Sequence, residues 1–377
     1  MQMLHIHVSE NFDYHFGASC LTCPDVVKAL TSQGRQAVCI ADADVFALHG
    51  THLKACLGSW LVEVLTVPSG ETSKTQVTKT LLENQLLEKG YQRDVCLVAF
   101  GGGMILDLVG FVAATYLRGV PVVYLPTSLL SMVDACIGGK VGINTPLGKN
   151  TIGLVRQPSA VVADLDFLDT LPQVQWISGM AEVLKHALIA DAAFLAWLVQ
   201  HRDALLARDR VSVSHMLTRS HAIKQQFVSG DVNDQGRRQC LNYGHTFGHA
   251  LELGSQGRVP HGIAVAHGMV VANHIAVSLG HLKCHDAKQI ADHLAAFGLL
   301  PAWPSTWLLP WASYWQIMLR DKKNRAGMCR WVLLKRAGAV AGQPSTHAVT
   351  CAVWLDACQA WTQTHVTTHA EMAYGTA

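Results

Sequence analysis

Five short apolar runs in the first part of the chain constrain its fold more than any other feature of the sequence. Each run has the length of a strand and is rich in β-branched residues, and helix-like stretches separate the runs. They are QAVCIAD (36–42), VEVLTVP (62–68), VCLVAF (95–100), VPVVYLP (120–126) and AVVADLDFL (160–168). Continuous apolar runs are typical of parallel strands that are buried on both faces and joined by crossover helices. The sequence therefore predicts an α/β, Rossmann-like domain over residues 1–170.

The second half of the chain has a different pattern, in which long amphipathic segments replace the short apolar runs. These segments have helical periodicity and cover residues 180–207, 211–229, 246–253, 261–279 and 287–297. Only residues 329–334 have the character of a further strand. We therefore expect an all-α domain over residues 171–377, joined to the first domain at the Leu171-Pro172 turn.

Composition excludes several classes of protein. Half of the residues are hydrophobic, which supplies enough material for two cores and excludes a largely disordered chain. The formal net charge is only +2, so the chain lacks the basic field of a nucleic-acid-binding protein. The first residues do not read as a secretory signal, and the apolar runs are too short to cross a membrane. The 11 cysteines, an odd number, indicate free thiols in a reducing cytoplasm, so we expect a cytoplasmic protein.

A glycine-rich turn follows the third apolar run, in AFGGGMILDLVGF (99–111). Glycines at a strand-to-helix turn let backbone N–H groups approach a phosphate, and the helix N-terminus supplies partial positive charge. Two other loops extend the pattern: PSGETSK (68–74), and IADAD with Asp42 and Asp44, whose carboxylates can accept from ribose hydroxyls. Because ligands of open α/β sheets bind at the carboxyl ends of strands, the three loops predict a dinucleotide site. The alternative is a tight turn that binds no ligand.

A long loop over VDACIGGKVGINTPLGKN (133–150) combines three glycines with Lys140 and Lys149. Glycines let the backbone bend and aim an ammonium group at an anion. Arg118 lies just upstream, in YLRG. Long ordered loops commonly carry function, so this pattern predicts an anion site, and the alternative is a solvated loop.

Three segments of the second half supply candidate metal ligands. Glu182 lies in GMAEVLKH, which reads as a helix start. His245 and His249 of NYGHTFGH lie four apart on one helix face, and His261 follows a proline and opens another helix. One carboxylate with two imidazoles is a recurrent zinc set that leaves positions open for substrate oxygens. Because the chain has 20 histidines, the alternative is that these histidines cap helices or pack in the core.

Eight blocks between about residues 67 and 327 resemble those of 3-dehydroquinate synthases and follow the same order. The blocks are PSGETSKT, GGGMILDLVGFVAATYLRG, LPTSLLSMVDACIGGK, PLGKNTIG, GMAEVLKH, LNYGHTFGHALE, HGIAVAHGM and RDKKN. The resemblance implies a dehydroquinate synthase-like fold, tightly bound NAD and one divalent metal ion, Zn²⁺ or Co²⁺. It also implies a cytoplasmic homodimer that converts 3-deoxy-D-arabino-heptulosonate 7-phosphate to 3-dehydroquinate and phosphate, in the shikimate route to chorismate and the aromatic amino acids.

The resemblance also implies roles for individual residues. The metal ligands of the family are matched by Glu182, His245 and His261. Its NAD contacts are matched by Asp42, Asp44, Glu71, Thr72, Ser73, Lys74, Gly102, Gly103, Met104, Asp107, Thr127, Ser128, Lys140, Lys149, Phe167, Leu168, Asp169 and Thr170. Its substrate contacts are matched by Arg118, Asp134, Lys140, Lys149, Asn150, Lys185, Lys224, Arg238, Asn242, His249 and one of Lys322 or Lys323. Catalytic roles are implied for Lys140, Lys185, Lys224, Asp234, Arg238, Asn242 and His249. Arg118 resembles the arginine that the family lends to the phosphate site of the neighbouring subunit.

Some positions depart from the family pattern. Ile263 stands where the family usually has Glu, and Cys136 and Val141 replace small or hydroxylated residues. Asp234 stands where family members often have a Glu that is assigned as a base, so a base here has a side chain one methylene shorter.

Three alternative functions follow from the same residues. A sister sugar phosphate cyclase, such as 2-deoxy-scyllo-inosose synthase or 2-epi-5-epi-valiolone synthase, is the nearest. Valiolone synthases typically lack the counterparts of Asn242 and His249, which are present here, and Arg238 favours a substrate with a carboxylate. A metal-dependent alcohol or glycerol dehydrogenase would release NADH and has little use for the lysine cluster. A non-catalytic relative would not need the metal and lysine residues.

Overall fold

The computed structural model describes residues 2–7, 11–146, 148–231, 233–320, 328–342 and 346–367. The chain divides into two compact units. The first consists of Met1–Pro172, Arg210–His221 and Val228–Asn233, and the second consists of Gln173–Asp209, Ala222–Phe227 and Asp234–Ala377. Part of the chain after residue 209 therefore belongs to the first unit, which the sequence pattern did not indicate. The expected division into domains at residues 170 and 171 stays a prediction.

The first unit is built on a seven-stranded sheet. Its strands are β1 (Gln2–His7), β2 (Asn11–Gly17), β3 (Gln36–Asp42), β4 (Leu61–Val67), β5 (Val95–Gly101), β6 (Val122–Pro126) and β9 (Ala160–Asp164). The order across the sheet is β1-β2-β9-β6-β5-β3-β4, and each pair is parallel except β1 with β2. Two other strands, β7 (Lys140–Thr145) and β8 (Gly148–Val155), form a separate antiparallel hairpin.

The five apolar runs are confirmed as strands β3, β4, β5, β6 and β9. Every residue of β5, β6 and β9 is buried, so these strands have no alternation of apolar and polar residues. The last run stops being a strand earlier than expected, because Leu165–Thr170 forms 3₁₀ turns. The sequence pattern predicted neither β1 and β2 nor the β7–β8 hairpin.

Helices of the first unit follow strands in the manner of an α/β fold. They are α1 (Pro24–Thr31), α2 (Ala43–Leu57), α3 (Gln76–Glu88) and α4 (Gly103–Thr115). Side-chain caps explain where two of them begin. Asp42 Oδ1 accepts from the backbone N–H of Val45 at 3.3 Å, and Thr75 Oγ1 accepts from that of Thr78 at 3.1 Å.

The second unit is largely helical. Its helices are α5 (Gln173–Ala190), α6 (Ala192–Gln200), α7 (Arg202–Leu206), α8 (Arg210–Val228, shared with the first unit), α9 (His245–Gly254), α10 (His261–Ser278), α11 (Cys284–Ala296), α12 (Trp311–Leu319) and α13 (Cys351–His365). Helix α10 is buried around most of its circumference, as a central helix must be, and it packs against α5, α9, α11 and α13. The region expected as one amphipathic segment, 180–207, is divided among three helices.

Short strands also occur in the second unit, which is therefore not purely α-helical. They are β10 (Trp303–Pro304), β11 (Cys329–Trp331), β12 (Leu334–Arg336), β13 (Ala339–Val340), β14 (His347–Val349) and β15 (Val366–Thr367), and they pair as β10–β15, β11–β14 and β12–β13. Across the described ranges, none of the helices has both the length and the apolar character that a bilayer crossing requires.

Candidate active site

Glu182, His245 and His261 converge within the second unit. One potential ligand atom from each lies within 4.8 Å of the other two. Oε1 of Glu182 is 3.5 Å from Nε2 of His245 and 3.7 Å from Nε2 of His261. Ligands about 2.1 Å from one tetrahedral ion lie about 3.4 Å apart, so these separations fit a single ion after small adjustments. The three residues that the sequence singled out are thus brought together, and their role as ligands stays a prediction.

The outer ring nitrogens of both histidines contact acceptors that orient the rings. Nδ1 of His245 is 3.2 Å from the carbonyl oxygen of Tyr243, and Nδ1 of His261 is 3.1 Å from Oε2 of Glu252. A histidine that donates from Nδ1 presents the lone pair of Nε2 to a metal ion, and such partners are typical of metal-binding histidines. The donor set and its orientation therefore fit Zn²⁺ or Co²⁺.

Helix packing explains why Glu182 and His261 are neighbours. Glu182 lies in the middle of α5, so the expectation that its segment starts a helix was wrong; the helix begins at Gln173. Ser178 lies one turn before Glu182 on the same face, and its hydroxyl accepts from the backbone N–H of Gly262 at 2.9 Å. A Cβ atom at Gly262 would overlap the carbonyl oxygen of Ser178, so only glycine allows this approach. The contact joins α5 to the start of α10, where His261 is the first residue as predicted.

A second close contact positions His245 against α10. Gly244, directly before His245, has φ +80°, and a Cβ atom there would lie 2.6 Å from the carbonyl oxygen of Val265. A Cβ atom at Gly268 would overlap the carbonyl oxygen of Gly244. The start of α9 therefore lies directly against the backbone of α10, which sets the separation of His245 and His261.

The groups around the cluster shift the pKa values of its two histidines in opposite directions. Burial, reinforced by the Lys185 ammonium, holds the pKa of His245 well below its ordinary value, so the ring is neutral and able to act as a ligand. Burial also lowers the pKa of His261, but the carboxylates of Glu252 and Glu182 outweigh burial and raise it to about 10. The two carboxylates thus stabilise positive charge at His261. Glu182 itself is fully buried and forms an ion pair with Lys185.

The second unit also buries three cationic side chains among the predicted substrate contacts. Lys185, Lys224 and Arg238 are 2%, 4% and 4% exposed. Buried cations are rare in proteins unless they meet anionic or acceptor groups, and a guanidinium matches a carboxylate bidentately.

Other predicted residues of the second unit differ in exposure. His249 is exposed, and its ring lies edge-on to that of His245 with centroids 5.1 Å apart. Asn242 Nδ2 donates to the carbonyl oxygen of Gln239 at 3.1 Å. Asp234 is partly exposed and has φ +58°. Lys322 and Lys323 lie outside the described residues.

In the first unit, the predicted cofactor loops lie at one edge of the sheet. The parallel register pairs Asp42 with Val67 and Gly101 with Pro126, so the carboxyl ends of β3, β4, β5 and β6 share this edge. The chain runs from β3 outwards to β4 and then returns to β5 on the other side of β3. The topological switch point is therefore between β3 and β5, where open α/β sheets bind ligands.

The two loops at this switch point present groups suited to a dinucleotide. Helix α4 begins with Gly102 as its N-cap, which has no side chain to occupy the N–H groups of the first turn, where Gly103 and Met104 lie. Asp42 caps α2 through Oδ1, which also accepts from the Ser69 hydroxyl at 2.5 Å. Asp44 is exposed in the first turn of α2.

Lys74 connects its own loop to a helix and to a hairpin of the first unit. Its Nζ atom lies 2.5 Å from Oδ2 of Asp107 and 2.5 Å from Oδ1 of Asn150. Asn144 Nδ2 donates to Oε1 of Glu71 at 2.7 Å, and Asn144 Oδ1 accepts from the N–H of Asn150 at 2.8 Å. These contacts join the 3₁₀ turn Glu71–Ser73, which includes Thr72, to α4 and to the β7–β8 hairpin. Asn144, to which the sequence assigned no role, is thus part of the network.

The long lysine-containing loop is for the most part the β7–β8 hairpin. Lys140 is the first residue of β7, Lys149 lies near the start of β8, and both side chains are exposed. An exposed lysine on a hairpin is compatible with an anion site and also with a solvated surface, so the sequence-based alternatives for this segment stay open.

The remaining predicted cofactor contacts are mostly buried or bonded within the unit. Thr127 is buried and its N–H donates to the carbonyl oxygen of Gly101 at 3.0 Å, and Ser128 is bonded to Ser131. Leu168 is fully buried, and Phe167 packs in the core with its ring centroid 5.3 Å from that of Phe100.

Asp169 and Thr170 lie in the 3₁₀ turns Leu165–Thr170, and both side chains make contacts within the first unit. Asp169 Oδ2 accepts from Arg210 at 2.6 Å, and Thr170 Oγ1 lies 2.7 Å from Nε2 of His49. These contacts give both side chains a structural role, and their contact with NAD stays a prediction.

Two predicted substrate contacts of the first unit lie in unusual backbone. Arg118 is exposed in a turn in which Leu117, Arg118 and Gly119 have φ of +47°, +68° and +114°. Non-glycine residues rarely adopt such angles, and strain of this kind commonly marks a functional position. Asp134 lies in a π-helical turn, Ser131–Ala135, which is a feature frequent at functional sites.

The π-helical turn is held by residues that sequence reasoning missed. The carbonyl oxygen of Met132 accepts from the Tyr14 hydroxyl at 2.9 Å and lies 2.8 Å from Nε2 of His221. Both side chains are buried, and neither belongs to a local motif that could have indicated this role. Glu252 and Ser178 were also missed. Glu252 lies seven residues after His245 and Ser178 lies four residues before Glu182, so each is on the same helix face as the candidate ligand of its helix.

Two family models match consecutive parts of this chain. Residues 64–178 match the family model described as 3-dehydroquinate synthase N-terminal, and residues 179–324 match the one described as 3-dehydroquinate synthase C-terminal. A crystal structure of 2-deoxy-scyllo-inosose synthase with carbaglucose-6-phosphate, NAD⁺ and Co²⁺ is 24% identical, with a TM-score of 0.86 over 95% of this chain and 99% of that chain.

Two further solved structures share the fold. ValA, a 2-epi-5-epi-valiolone synthase from Streptomyces hygroscopicus subsp. jinggangensis 5008 with NAD⁺ and Zn²⁺ bound, is 25% identical, with a TM-score of 0.84 over 96% of this chain and 99% of that chain. A probable glycerol dehydrogenase from Sinorhizobium meliloti 1021 is 16% identical, with a TM-score of 0.66 over 93% of this chain and 96% of that chain.

Proposed function

Because this chain belongs to the 3-dehydroquinate synthase family, we propose that it converts 3-deoxy-D-arabino-heptulosonate 7-phosphate to 3-dehydroquinate and phosphate, with NAD and one Zn²⁺ or Co²⁺ ion. The observation that carries the proposal is the cluster of buried Glu182 with partly buried His245 and His261, in which the Nδ1 atoms of both histidines contact acceptors. We further propose that the enzyme is a cytoplasmic homodimer of the shikimate pathway.

The cofactors account for chemistry that the side chains cannot supply. Bound NAD would supply reversible acceptance of a hydride from a ring carbon, and a bound ion would supply acidification of the hydroxyl that is oxidised, so that no NADH would be released overall. Glu182, His245 and His261 would hold the ion. Asp42 and Asp44 suit the ribose hydroxyls of NAD, and the start of α4 at Gly103 suits its pyrophosphate.

Cationic residues of the chain suit the two anionic ends of this substrate. Arg238 and Lys224 are proposed to bind the carboxylate, since both are buried and a guanidinium pairs bidentately with a carboxylate. Lys140, Lys149 and Arg118 are proposed to bind the phosphate.

Polar residues complete the proposed site. Asp134, Asn150, Lys185 and Asn242 suit the substrate hydroxyls. His249, next to His245, is proposed to move a proton during phosphate elimination and ring closure.

A sister cyclase activity is the second candidate, because two of the solved structures with high structural similarity are 2-deoxy-scyllo-inosose and valiolone synthases. A sister cyclase would act on hexose or heptulose phosphates without a carboxylate, whereas the guanidinium of Arg238 favours a substrate that has one. The presence of Asn242 and His249 is a further difference from valiolone synthases.

The test is an incubation of the NAD- and Zn²⁺-loaded enzyme with each substrate separately. The proposal expects phosphate release with the seven-carbon acid phosphate and no net increase in the absorbance of reduced nicotinamide. Turnover of glucose 6-phosphate or sedoheptulose 7-phosphate, but not of the acid, would establish a sister cyclase instead. Net NADH with glycerol or simple alcohols would establish a dehydrogenase. Chelator-treated enzyme and the Glu182→Gln variant serve as controls that should release no phosphate.

A further inference from the structure

Glu252 is a buried carboxylate to which neither the sequence motifs nor the proposed mechanism assigns a role. It lies on α9, seven residues after His245, so both side chains are on the same face of this helix two turns apart. Its side chain is 5% exposed. Burying a carboxylate is costly unless it contacts a partner that compensates for lost hydration.

The imidazole of His261 connects Glu252 to the candidate metal centre. Nδ1 of His261 is 3.1 Å from Oε2 of Glu252, while Nε2 on the opposite edge of the ring is 3.7 Å from Oε1 of Glu182. The ring therefore has one carboxylate at each nitrogen. An ion held between Glu182 and His261 would contact Nε2 and leave Nδ1–H to donate to Glu252.

We propose that Glu252 is a positioning residue for the metal ion, acting through His261. It accepts the Nδ1–H proton, fixes the tautomer whose lone pair is on Nε2, and prevents rotation of the ring away from Glu182 and His245. The negative charge of Glu252 also makes His261 a stronger ligand. This inference rests on the metal centre of the proposed function, and it adds a residue that does not contact the ion.

The geometry also allows a competing role for Glu252. His249, Glu252 and His261 offer ligand atoms within 4.8 Å of one another, so the three could bind an ion of their own. An ion on Nδ1 of His261 would take the place of the proton donated to Glu252. The positioning role therefore requires one ion per chain, whereas the competing role adds a second ion or moves the first.

The experiment measures metal binding by the full-length chain in the absence of substrate. Chelator-stripped wild type and the variants Glu252→Gln and Glu252→Ala are titrated with Zn²⁺ against a chromogenic chelator and with Co²⁺ by visible absorption. We expect one ion per chain in each protein and an affinity about 10–100-fold weaker in Glu252→Ala. Glu252→Gln should lie between the two, because its amide oxygen still accepts from Nδ1–H but carries no charge. The Co²⁺ bands should shift in both variants.

Ser255→Ala is the matched control, since it removes hydrogen bonds at the same end of α9. The Ser255 hydroxyl donates to the carbonyl oxygen of Glu252 at 3.0 Å and accepts from the N–H of Val259 at 3.3 Å. Its metal affinity should equal that of wild type. Far-UV circular dichroism and chemical unfolding of the metal-free proteins establish that each variant folds, and Glu252→Gln keeps the size of the side chain if Glu252→Ala does not fold.

Unchanged affinity and unchanged Co²⁺ bands in the folded Glu252 variants would overturn the inference. Two ions in wild type and one in Glu252→Ala would make Glu252 a ligand of a second ion, which also overturns it. These outcomes are separate from a failure of the proposed function. A wild type that binds no Zn²⁺ would refute the metal centre itself, and an active metal centre with a different substrate would leave the role of Glu252 intact.

Discussion

The backbone N–H of Gly262 donates a hydrogen bond to the hydroxyl of Ser178, with 2.9 Å between the two atoms. This contact joins the residue after His261 to the residue one helical turn before Glu182. It satisfies one of the first N–H groups of α10, which have no acceptor within their own helix. Two candidate metal ligands on different helices are therefore positioned by a contact that involves neither of their side chains.

Replacement of Gly262 by Ala should separate these helices. The added Cβ would overlap the carbonyl oxygen of Ser178, so we expect a loss of about 1–3 kcal/mol in the free energy of unfolding, because overpacking displaces backbone in a close contact. We also expect at least tenfold weaker Zn²⁺ binding, since outer contacts of metal ligands typically affect affinity by that amount or more. Chemical denaturation and metal titration measure the two effects.

Ala264→Gly provides the control for Gly262→Ala on the same buried helix. It should lower stability by about 1 kcal/mol through helix propensity without adding an atom between α5 and α10. Zn²⁺ affinity equal to wild type in Gly262→Ala would mean that this contact does not set the separation of the ligands.

Lys74 and Asp107 should be energetically coupled. Lys74→Met removes a buried ammonium that contacts both Asp107 and Asn150, and we expect a loss of about 2–3 kcal/mol, as for hydrogen bonds to charged groups. The double variant with Asp107→Asn should be less destabilised than the sum of the single variants by at least about 1 kcal/mol. Urea denaturation of the four proteins measures the coupling, and additive effects would show that the contact contributes nothing.

Mixed dimers should reveal whether Arg118 acts on the partner subunit. If the proposed homodimer shares this arginine, Arg118→Ala and Glu182→Gln are each inactive alone. Random mixing of equal amounts then makes half of the dimers mixed, each with one complete site, so phosphate release should recover to about a quarter of wild type. Recovery should require unfolding and refolding, or slow exchange, of the two variants together. No recovery in dimers shown to be mixed would place Arg118 in its own subunit's site.

The second unit should lose stability in acid partly through His267. This ring is fully buried, and its Nδ1 atom accepts from Trp361 Nε1 at 3.0 Å. Burial holds the pKa of His267 well below its ordinary value, and the nearby His365 makes a smaller contribution in the same direction. Below about pH 6.5 the unfolded chain therefore binds a proton at this histidine that the folded chain excludes. The free energy of unfolding is fully retained above this pH and decreases as the pH falls below it.

The variant His267→Gln isolates this contribution. Its amide oxygen can accept from Trp361 and cannot be protonated in this range. Between about pH 6.5 and 5, the slope of the unfolding free energy against pH should be smaller in the variant, by up to about 1.4 kcal/mol per pH unit. Denaturation followed by Trp fluorescence measures both slopes, and parallel curves would exclude His267 as a source of acid sensitivity.

The sequence predicted the five strands that coincide with apolar runs, including the partly exposed edge strand β4, but missed β1, β2 and the β7–β8 hairpin. β3, β5, β6 and β9 are continuous apolar runs because no side of them faces water. β8 is largely exposed, and the sequence contained no apolar pattern that could distinguish this hairpin from a loop.

Local spacing and motif resemblance also indicated the members of the candidate site. His261 opens its helix as predicted, because a proline directly precedes it, and His245 lies one turn before His249 on the same helix, as their spacing indicated. The position of Glu182 within its helix was predicted wrongly, because α5 begins at Gln173 and is buried without interruption from Ser178 to Ile189, so no amphipathic pattern marks its start.

What the amino-acid sequence determined by itself is the class of the fold, the buried strands and the residue types that a metal and a dinucleotide require, because these depend on periodicity and chemistry along the chain. The tertiary structure decided which distant groups meet: Ser178 with Gly262, Glu252 with His261, and Lys74 with Asp107. The first contact depends on a close approach of two backbones that glycine permits, and the other two depend on how separate elements pack. Sequence separation carries no information about either.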